Sequence, residues 1–569
     1  MFLDLLRKFV PVSFAMVILA GSFADGQVIQ NDVFWKDTEG NPMITNGGGT
    51  IKVGDTWYWH GVKYGNGATW YNKSTGSNYS GASGTKVSCF SSKDLMTWKN
   101  EGDVFNAPGG WYGRCGVVYH AGTKKYVLVG QGGTNNQVVF ASSDAVTGPF
   151  TQTSIVTPPG VANGGTGDQT VFQDDDGKAY IICSSRSGRS NWYILSLRAS
   201  DYLAIETTTR IGGGTGREGN CMFKRRGRYY FVSSLLYGWN ASPAYYISAT
   251  NILGPYGAEK TMTNSEKDYC HITQTGFFTT VNGTEDTTVI FSGDRWSGWE
   301  GNGPGFSAWT PVTFDGTDAN FNSLSRWTID AVKGTWKVAP GNNYILNGII
   351  EADRVVGSVR PWTGTGARNV AGSAKAGNYC MNLASGTTAT QTIASLPNGT
   401  YEMSVWIQSS GSGGSCDISV SDFGGAEMKQ ASTEAMANWT QVRLPGIKVT
   451  SGKAVVNATN SGKSSCQMDD FSLATAIDAV PVFGDSYRKN PGFAYNPGTF
   501  SIQANGRSGK PFQMEVYTTD GRNVLKRNLV PRSDQEQFSL PENGVLDGHY
   551  FLRMTSGGES SVLNVTLGR

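Results

Sequence analysis

The first three hundred residues show a repeated pattern of alternating apolar and polar positions, interrupted by tight turns. Apolar residues at every second position predict a β-strand with one buried face. Pairs of such strands are joined here by short turns containing Gly or Asp-Gly, which predicts β-hairpins. Five hairpins are predicted: Ile51–Val62, Val118–Gln131, Val171–Ser185, Met222–Leu235 and Phe277–Asp294.

The spacing of the turn glycines gives the length of this repeat. Neighbouring turn glycines lie 68, 55, 50 and 56 residues apart by subtraction. They are Gly54, Gly122, Gly177, Gly227 and Gly283. A period close to 50 residues suits one four-stranded propeller blade per repeat. We predict a five-bladed β-propeller over residues 30–335; the alternative is an array of β-sandwiches, whose repeats would not converge on one site.

A second module is predicted over residues 340–475. Polar and apolar residues alternate in Tyr401–Ile407 and in Cys416–Val420, as expected for strands of a half-buried sheet. We predict a jelly-roll β-sandwich here.

The last hundred residues divide into a linker and a small domain. Residues 476–495 are punctuated by proline and glycine, which is typical of a linker. Residues 496–569 contain short strand patterns, Phe512–Tyr517 and Tyr550–Met554, on either side of the turn Thr519–Gly521. This segment is predicted to be a small C-terminal β-sandwich, so the whole chain is predicted to be all-β.

Composition agrees with an all-β, multi-domain chain. Among 569 residues there are 75 glycines, 12% aromatic residues and only 16% charged residues, as expected for many turns and few helices. The formal net charge of +2 gives no reason to expect a nucleic-acid or anionic-membrane partner. Neutral sugars, which aromatic rings can stack against, fit this composition better.

The N-terminus predicts export from the cytoplasm. Arg7 and Lys8 precede an apolar run, Phe9–Ala20, that ends near the small residues Ser22 and Ala24, as in a cleaved signal peptide over residues 1–24. The alternative is a membrane anchor, but the run is shorter than the roughly 20 apolar residues that a span requires. We expect a secreted or cell-surface protein.

The eight cysteines are scattered and form no Cys-x-x-Cys motif, which argues against a zinc site. Cys416 and Cys466 lie in one module and are a candidate disulfide, and several of the first five cysteines are interpreted as buried thiols. No His or carboxylate cluster has metal-ligand spacing. We therefore expect no cofactor and no catalytic metal, and leave open a structural Ca²⁺ in the sandwich module.

Four polar residues occupy equivalent places just before predicted hairpins. They are Asn46, Asp168, Glu218 and Gln274, before the first, third, fourth and fifth hairpins. The innermost strand of each propeller blade faces the axis, so residues from distant parts of the chain would meet there. We therefore expect a site at the axis.

Two of these four residues are carboxylic acids. Inverting glycoside hydrolysis needs an acid that protonates the leaving oxygen and a base about 6.5–9.5 Å away that activates water, and a third carboxylate can raise the pKa of the acid. Glu218 could instead be a solvated loop acid paired with Arg217, and Asp168 an Asx-turn residue. Gln274, a neutral amide, is by its residue type a donor to substrate.

Three segments resemble glycoside hydrolase family 43, and within it the exo-β-1,3-galactanase branch. They are Trp35–Gly61, Arg217–Lys224 (REGNCMFK) with Gly238–Asn240, and the TQTG and FSGDRW motifs of 273–276 and 291–296. The resemblance covers residues 30–335. It implies a five-bladed propeller, in agreement with the five repeats.

The resemblance also implies roles. Glu218 matches the general acid, Asp168 the residue that modulates its pKa, and Gln274 the glutamine that acts as base through its imidic tautomer. Most of the family has an aspartate base on the first blade, where this chain has Asn46; the galactanase branch also lacks that aspartate. The candidate substrate contacts are Asn46, Arg114, Trp239, Asn240, Arg295 and Trp296.

Two departures from the branch concern sugar recognition. Val62 and Gly113 stand where the branch has glutamates that contact substrate, and the loss of such acceptors changes specificity. We predict an inverting exo-glycosidase that acts on β-1,3-galactan or arabinogalactan of plant polysaccharide. The alternatives are an α-L-arabinofuranosidase or β-xylosidase on the same fold, and a non-catalytic polysaccharide-binding propeller.

The two smaller modules have resemblances of their own. The sandwich resembles carbohydrate-binding modules, with Trp362, Trp406 and Trp439 as candidate stacking platforms, at least one of which we expect in the core. The C-terminal module resembles the sorting domain of type IX secretion, through Val516–Arg522 and Gly548–Arg553. This implies outer-membrane secretion machinery as a partner.

Overall fold

The structure is a computed structural model. It describes residues 28–64, 84–107, 112–295, 306–352, 357–364, 366–375, 377–409, 416–432, 436–462, 464–475, 493–496, 501–505, 509–518, 523–533, 535–539, 548–556 and 559–567. The predicted signal peptide, most of the predicted linker and Trp296 lie outside these ranges. The chain divides into two compact units, one spanning Val28–Gly484 and one that contains residues 485–569.

Five antiparallel sheets of four strands each occupy residues 46–321, and within every sheet consecutive strands are neighbours. After the short strand β1 (Ile29–Gln30), the strands of these sheets are β2 (Asn46–Val53), β3 (Thr56–Tyr64), β4 (Gly84–Ser92), β5 (Lys99–Asn106); β6 (Gly113–His120), β7 (Lys125–Gly132), β8 (Gln137–Ser143), β9 (Thr151–Val156); β10 (Thr166–Gln173), β11 (Ala179–Ser185), β12 (Asn191–Leu197), β13 (Ile205–Gly213); β14 (Glu218–Arg225), β15 (Arg228–Ser234), β16 (Ala244–Ala249), β17 (Lys260–Thr261); β18 (Gln274–Asn282), β19 (Thr287–Arg295), β20 (Phe306–Asp315) and β21 (Asp318–Phe321).

The five predicted hairpins are the first two strands of the five sheets, so the local part of the prediction is confirmed. Each first strand also contacts the first strand of the next sheet, and β18 of the last sheet contacts β2 of the first. The starts of the five first strands therefore lie around one axis. The all-β class is likewise confirmed.

A β-bulge interrupts the pairing near the start of every first strand. The register shifts lie between Asn46 and Gly49, Gly113 and Gly116, Thr166 and Gln169, Glu218 and Cys221, and Thr275 and Phe277. A bulge bends its strand and redirects side chains. The residues predicted to act at the axis lie at or beside these five bulges.

The five-sheet region is closed by pairing between a strand that precedes the first sheet and strands that follow the last. β22 (Arg326–Asp330) pairs with β1 and with β23 (Thr335–Val338), which joins residues before the first sheet to residues after the last. Trp59 of β3 and Trp309 of β20 pack edge to face, with ring centroids 5.2 Å apart. The first and last sheets therefore share an aromatic core.

Two short helical segments occur between strands in the part of the chain that the structure describes. Ala162–Gly164 forms a 3-10 turn before β10, and α1 (Ser265–Ile272) precedes β18. The second half of α1, Tyr269–Ile272, has positive φ angles, so it turns with the opposite hand to an ordinary helix. We call Tyr269–Ile272 the left-handed turn.

Two sheets that share one apolar cluster form the predicted sandwich region. One sheet has the order β24-β25-β32-β27-β30 and the other β26-β31-β28-β29, with strands β24 (Ala367–Ala371), β25 (Tyr379–Leu383), β26 (Thr387–Ile393), β27 (Gly399–Ser409), β28 (Cys416–Ser421), β29 (Met428–Ser432), β30 (Thr440–Val449), β31 (Ala454–Asn460) and β32 (Cys466–Thr475). Both predicted strands are confirmed as β27 and β28.

The predicted cysteine pairing is confirmed by a disulfide between Cys416 and Cys466, which joins the two sheets. The other six cysteines are buried thiols, as predicted for several of the first five. Trp362 is buried beside Phe471, with ring centroids 4.6 Å apart, so it belongs to the core and is not a stacking platform.

The unit that contains residues 485–569 has a three-stranded sheet, β33-β34-β37, and a four-stranded sheet, β36-β35-β38-β39. Its strands are β33 (Phe493–Asn496), β34 (Ser501–Asn505), β35 (Phe512–Thr518), β36 (Asn523–Leu529), β37 (Gln535–Ser539), β38 (Gly548–Ser556) and β39 (Glu559–Leu567). The two predicted strands are confirmed as parts of β35 and β38; the predicted turn 519–521 lies outside the described residues.

Among the helices of the described ranges, none has the length and apolarity to cross a bilayer.

Candidate active site

The structure brings together Glu218, Asp168 and Gln274, as the sequence predicts, and joins them by hydrogen bonds. The side-chain amide of Gln274 donates to Glu218, with 2.9 Å between Nε2 and Oε1. The backbone N–H of Gly219 donates to Asp168 across 2.8 Å. Three sheets therefore contribute polar groups to one cluster at the axis.

Arg114 lies at the centre of this cluster. Its guanidinium donates to Asp168 Oδ2 at 3.0 Å, to Gln274 Oε1 at 2.9 Å and to the carbonyl oxygen of Thr275 at 3.0 Å, and it is 3.4 Å from Asp294 Oδ2. The sequence identifies Arg114 as a substrate contact, but the residue is only 4% exposed. Its observed contacts are with the protein, and they fix the positions of the surrounding polar groups.

Glu218 has the environment of a general acid. The residue is only 7% exposed, and its second carboxylate oxygen is 3.4 Å from the guanidinium of Arg189. Burial, and secondly the charge of Asp168, raise the pKa of Glu218 to about 7, against the opposing effects of Arg189, Arg114 and Gln274. A carboxylic acid with this pKa holds its proton at near-neutral pH, as proton donation to a leaving group requires.

Asp168 is fixed relative to Glu218 through the backbone. Its side chain accepts the N–H of the residue directly after Glu218, and its own carbonyl oxygen accepts from Asn220 Nδ2 at 2.9 Å. Gly219 occupies the bulge with φ +60°, and a Cβ there would overlap Thr275. Glycine is therefore needed at this position to bring the two carboxyl groups close together.

Asp294 is a buried member of the cluster that sequence reasoning missed. Its carboxylate accepts from Gly47 N at 3.0 Å and from Asn46 Nδ2 at 3.3 Å, in addition to its ion pair with Arg114. Burial raises its pKa, whereas these partners favour the charged form. Asn46, proposed from sequence as a substrate contact, is itself fully buried and instead binds this carboxylate.

The charges of the cluster balance when Glu218 is protonated. Arg114 and Arg189 supply two positive charges, and Asp168 and Asp294 supply two negative ones. Arg189, on the turn between β11 and β12, is a second residue of the cluster that sequence reasoning missed. The site is therefore close to neutral in the state that can donate a proton, which suits an uncharged sugar.

Trp239 and Asn240 lie on the turn after β15, close to Gln274. The carbonyl oxygen of Gly238 is 3.5 Å from Gln274 Nε2, and the side chain of Asn240 donates to the carbonyl oxygen of Tyr237 at 2.9 Å. Trp239 is 46% exposed. Trp239 therefore lies at the surface close to the cluster.

Arg295 does not face this site, which corrects the sequence prediction. Its side chain is 0% exposed and lies 2.6 Å from Asp32 Oδ1, and it donates to the carbonyl oxygens of His271 and Ile272. Adjacent strand residues face opposite sides of a sheet, so Asp294 points to the axis and Arg295 away from it. Trp296, the last predicted contact, lies outside the described residues.

The structure offers no evidence of a metal centre in this cluster. Across the ranges that the structure describes, no three His, Cys, Asp or Glu side chains come together as metal ligands would. Glu218 can transfer a proton at the axis, and the groups around it can donate and accept hydrogen bonds.

Comparison with known proteins connects this geometry to a family. Residues 52–314 match the model of the glycosyl hydrolases family 43. No curated protein matches the chain.

Two similar solved structures come from exo-β-1,3-galactanases. One is from Phanerochaete chrysosporium, solved with β-1,3-galactotriose; it is 22% identical, covers 79% of this chain and 100% of its own, and has a TM-score of 0.50. The other, from Clostridium thermocellum, is 21% identical, with the same coverage and TM-score. At these identities the similarity establishes the fold.

Proposed function

We propose that the glycoside hydrolase family 43 domain at residues 52–314 removes galactose from the ends of β-1,3-linked galactan chains, with inversion at the anomeric carbon. The observation that best supports the proposal is the buried Glu218 beside Asp168, because burial and this neighbouring charge raise the pKa of Glu218 to about 7. The exo-β-1,3-galactanases that share the fold support this choice of substrate.

In the proposed reaction Glu218 protonates the glycosidic oxygen as the bond to the anomeric carbon breaks. The carboxylate that remains is stabilised by the guanidinium of Arg189. Asp168 keeps Glu218 protonated before this step, because two neighbouring carboxylates resist ionising together. General acid catalysis of this kind contributes about 10²–10⁴-fold to a rate.

Gln274 is proposed to hold the attacking water and to accept its proton on the nitrogen of the imidic tautomer. The imidic hydroxyl proton is then lost through water to the ionised Glu218, which restores the amide and the acid. The water oxygen bonds to the anomeric carbon, and the proton from Glu218 leaves with the departing sugar hydroxyl. An inverting pair stands about 6.5–9.5 Å apart, whereas Gln274 and Glu218 are in contact in the free protein. Substrate must therefore separate these two side chains as it enters.

The proposed substrate is a neutral sugar. The charge balance of the cluster, the exposed ring of Trp239 and the nearby amide of Asn240 suit hydroxyl groups and the apolar face of a pyranose. Val62, which replaces an acidic residue of the galactanase branch, is fully buried in an apolar cluster. It can make no polar contact with a sugar, so recognition has to rely on other residues.

The architecture and location that accompany this function are also proposals. The five four-stranded sheets are assigned as the blades of a five-bladed propeller, and residues 340–475 as a carbohydrate-binding jelly-roll sandwich. Residues 1–24 are assigned as a signal peptide for secretion. Residues 496–569 are assigned as a sorting domain that outer-membrane secretion machinery recognises.

The test is release of sugar from β-1,3-galactan by the purified protein, beside arabinan and xylan, with Glu218→Gln as the matched inactive variant. We expect galactose from galactan with the wild type and a loss of about 10²-fold or more in the variant. Release only from arabinan or xylan would assign the site to an arabinofuranosidase or xylosidase. Binding of galactan without release from any polymer would show a non-catalytic propeller.

A further inference from the structure

One residue, Thr273, separates the left-handed turn from Gln274. The four residues of the turn, Tyr269, Cys270, His271 and Ile272, have φ angles of 52°, 55°, 54° and 61°, and none is glycine. Side chains disfavour this conformation at each position, so contacts from the rest of the protein must hold it. The direction in which the chain enters β18, and with it the position of Gln274, depends on this turn.

Contacts from the five-sheet region hold one side of the left-handed turn. Arg295 donates to the carbonyl oxygens of His271 at 2.8 Å and of Ile272 at 3.1 Å. Asp32 binds both Arg295 and the Nε2 atom of His271. The Nδ1 atom of His271 lies 2.7 Å from Ser323 Oγ. These buried and partly buried polar contacts involve Arg295, Asp32 and Ser323, and none of them involves the ring of Tyr269.

The second side of the turn is covered by the sandwich region. Ala352 is buried in the same apolar cluster as Tyr269 and Ile272, and Ile349 packs against that cluster. The guanidinium of Arg360 lies over the Tyr269 ring, 5.8 Å from its centroid, and donates to the carbonyl oxygen of Glu266 at 3.3 Å. We call Ile349, Ala352 and Arg360 the sandwich contact.

The same cluster extends to the turn that carries Trp239. Tyr237 packs against the ring of Tyr269, with centroids 6.1 Å apart, and Ala241 is a buried member of the cluster. The N–H of Ser242 donates to the carbonyl oxygen of Thr273. The left-handed turn and the turn that carries Trp239 thus belong to one apolar cluster with the sandwich contact.

We infer that the sandwich region positions Gln274, because the sandwich contact helps to hold the left-handed turn in the conformation that directs Gln274 to Glu218. The inference rests on the proposed function for its kinetic consequence, since it assigns to the sandwich a part in turnover that is separate from any sugar binding of its own. Misplacement of a reacting group by about 1 Å can cost about 10²-fold in rate.

The test compares Ala352→Arg, which forces a long charged side chain into the sandwich contact, with Ala384→Arg, the same change at an exposed position of the same region. Hydrogen–deuterium exchange of residues 265–275 is measured in the full chain. We expect faster exchange in Ala352→Arg and wild-type exchange in Ala384→Arg. Unchanged exchange in a folded Ala352→Arg protein would overturn the inference, whether or not the protein hydrolyses galactan.

The kinetic arm uses a double-mutant cycle. We expect Ala352→Arg to lower kcat on galactan about tenfold or more, and to cause no further loss in a Gln274→Met background, because both changes act through one residue. An equal loss in both backgrounds would show that the sandwich acts elsewhere and would overturn the inference. An inactive wild type would refute the proposed function and leave the exchange comparison to decide.

A second pair of variants, with smaller changes, provides the test if Ala352→Arg does not fold. Arg360→Ala removes the stacking on Tyr269, and Arg368→Ala removes an exposed arginine of β24 on the same region. We expect faster exchange over residues 265–275 and a lower kcat with the first variant alone. Equal behaviour of the two variants would count against the inference.

Discussion

Gln274 and Glu218 share a hydrogen bond of 2.9 Å in the free protein, although the proposed reaction requires them on opposite sides of the bond that breaks. The amide oxygen of Gln274 is bound to Arg114, so its NH₂ group must face Glu218. This contact stabilises the ionised form of Glu218 and gives Gln274 a defined orientation before substrate arrives.

Replacement of Gln274 by Met should separate the roles of the two residues. We expect kcat to fall on both galactan and an aryl β-galactoside with a good leaving group, because the water must be positioned for either substrate. Glu218→Gln should retain much more activity on the aryl substrate, which needs no protonation. Steady-state kinetics on both substrates test this, and similar profiles for the two variants would contradict the assigned roles.

Asp168→Asn should move the alkaline limit of activity to lower pH. Glu218 must be protonated to act, so activity should fall as pH rises through its pKa of about 7. Next to burial, the charge of Asp168 is a cause of this raised pKa, and its removal lowers the pKa. The measurement is kcat/KM against pH; an unchanged or higher limit would refute the assignment of Asp168.

Arg189→Gln should have the opposite effect. Its guanidinium lies 3.4 Å from the Glu218 carboxylate and lowers the pKa of that group, so its loss should raise the pKa and extend activity to higher pH. The same pH profile provides the measurement. Shifts of equal sign in Asp168→Asn and Arg189→Gln would show that charge is not what tunes Glu218.

Asp294→Asn should destabilise the protein. The change removes one of the two carboxylates that pair with the buried Arg114. Loss of a sole buried partner costs about 3–5 kcal/mol, and we expect a smaller loss here because Asp168 still pairs with Arg114. Urea unfolding measures the loss. Asp318→Asn, which breaks an exposed pair with Lys260, is the control and should have a far smaller effect; equal effects would mean that the Arg114 pair contributes no more than a surface pair.

Loss of the Cys416–Cys466 disulfide should destabilise the sandwich region. The bond closes a loop with a sequence separation of 50 residues, and loop-closure entropy for that length corresponds to about 4 kcal/mol. Thermal unfolding of Cys416→Ser/Cys466→Ser should match that of the wild type in reductant. A wild type insensitive to reductant would argue that the bond contributes little.

The hairpins and the three central site residues could be predicted because their signals are local. Alternation marks each strand, a glycine marks each turn, and Asp168, Glu218 and Gln274 stand at equivalent places before the turns. The bulges could not be predicted, since a register shift depends on the partner strand as well as on the strand itself.

The tertiary structure was needed to find Asp294 and Arg189 in the site and to place Arg295 outside it. Asp294 lies in the second strand of its hairpin, outside the positions where acids were sought, and Arg189 lies on a turn between strands. Arg295 differs from Asp294 by one residue and so faces the opposite way. The left-handed turn contains no glycine from which its positive φ angles could be predicted. Its conformation depends on contacts with residues that are distant in sequence.

The bulge at the start of every first strand makes the site tolerant of exchange and intolerant of deletion. A new side chain in place of Asp168 or Glu218 still points to the axis, because the backbone there is fixed by the count of residues on the two paired strands. Gly219, by contrast, has no room for a side chain. Removal of one residue would restore regular pairing and turn the side chain toward another face. Evolution or design can therefore alter the chemistry at the axis by replacing residues such as Asp168, Glu218 and Gln274, while the lengths of the strands have to stay the same.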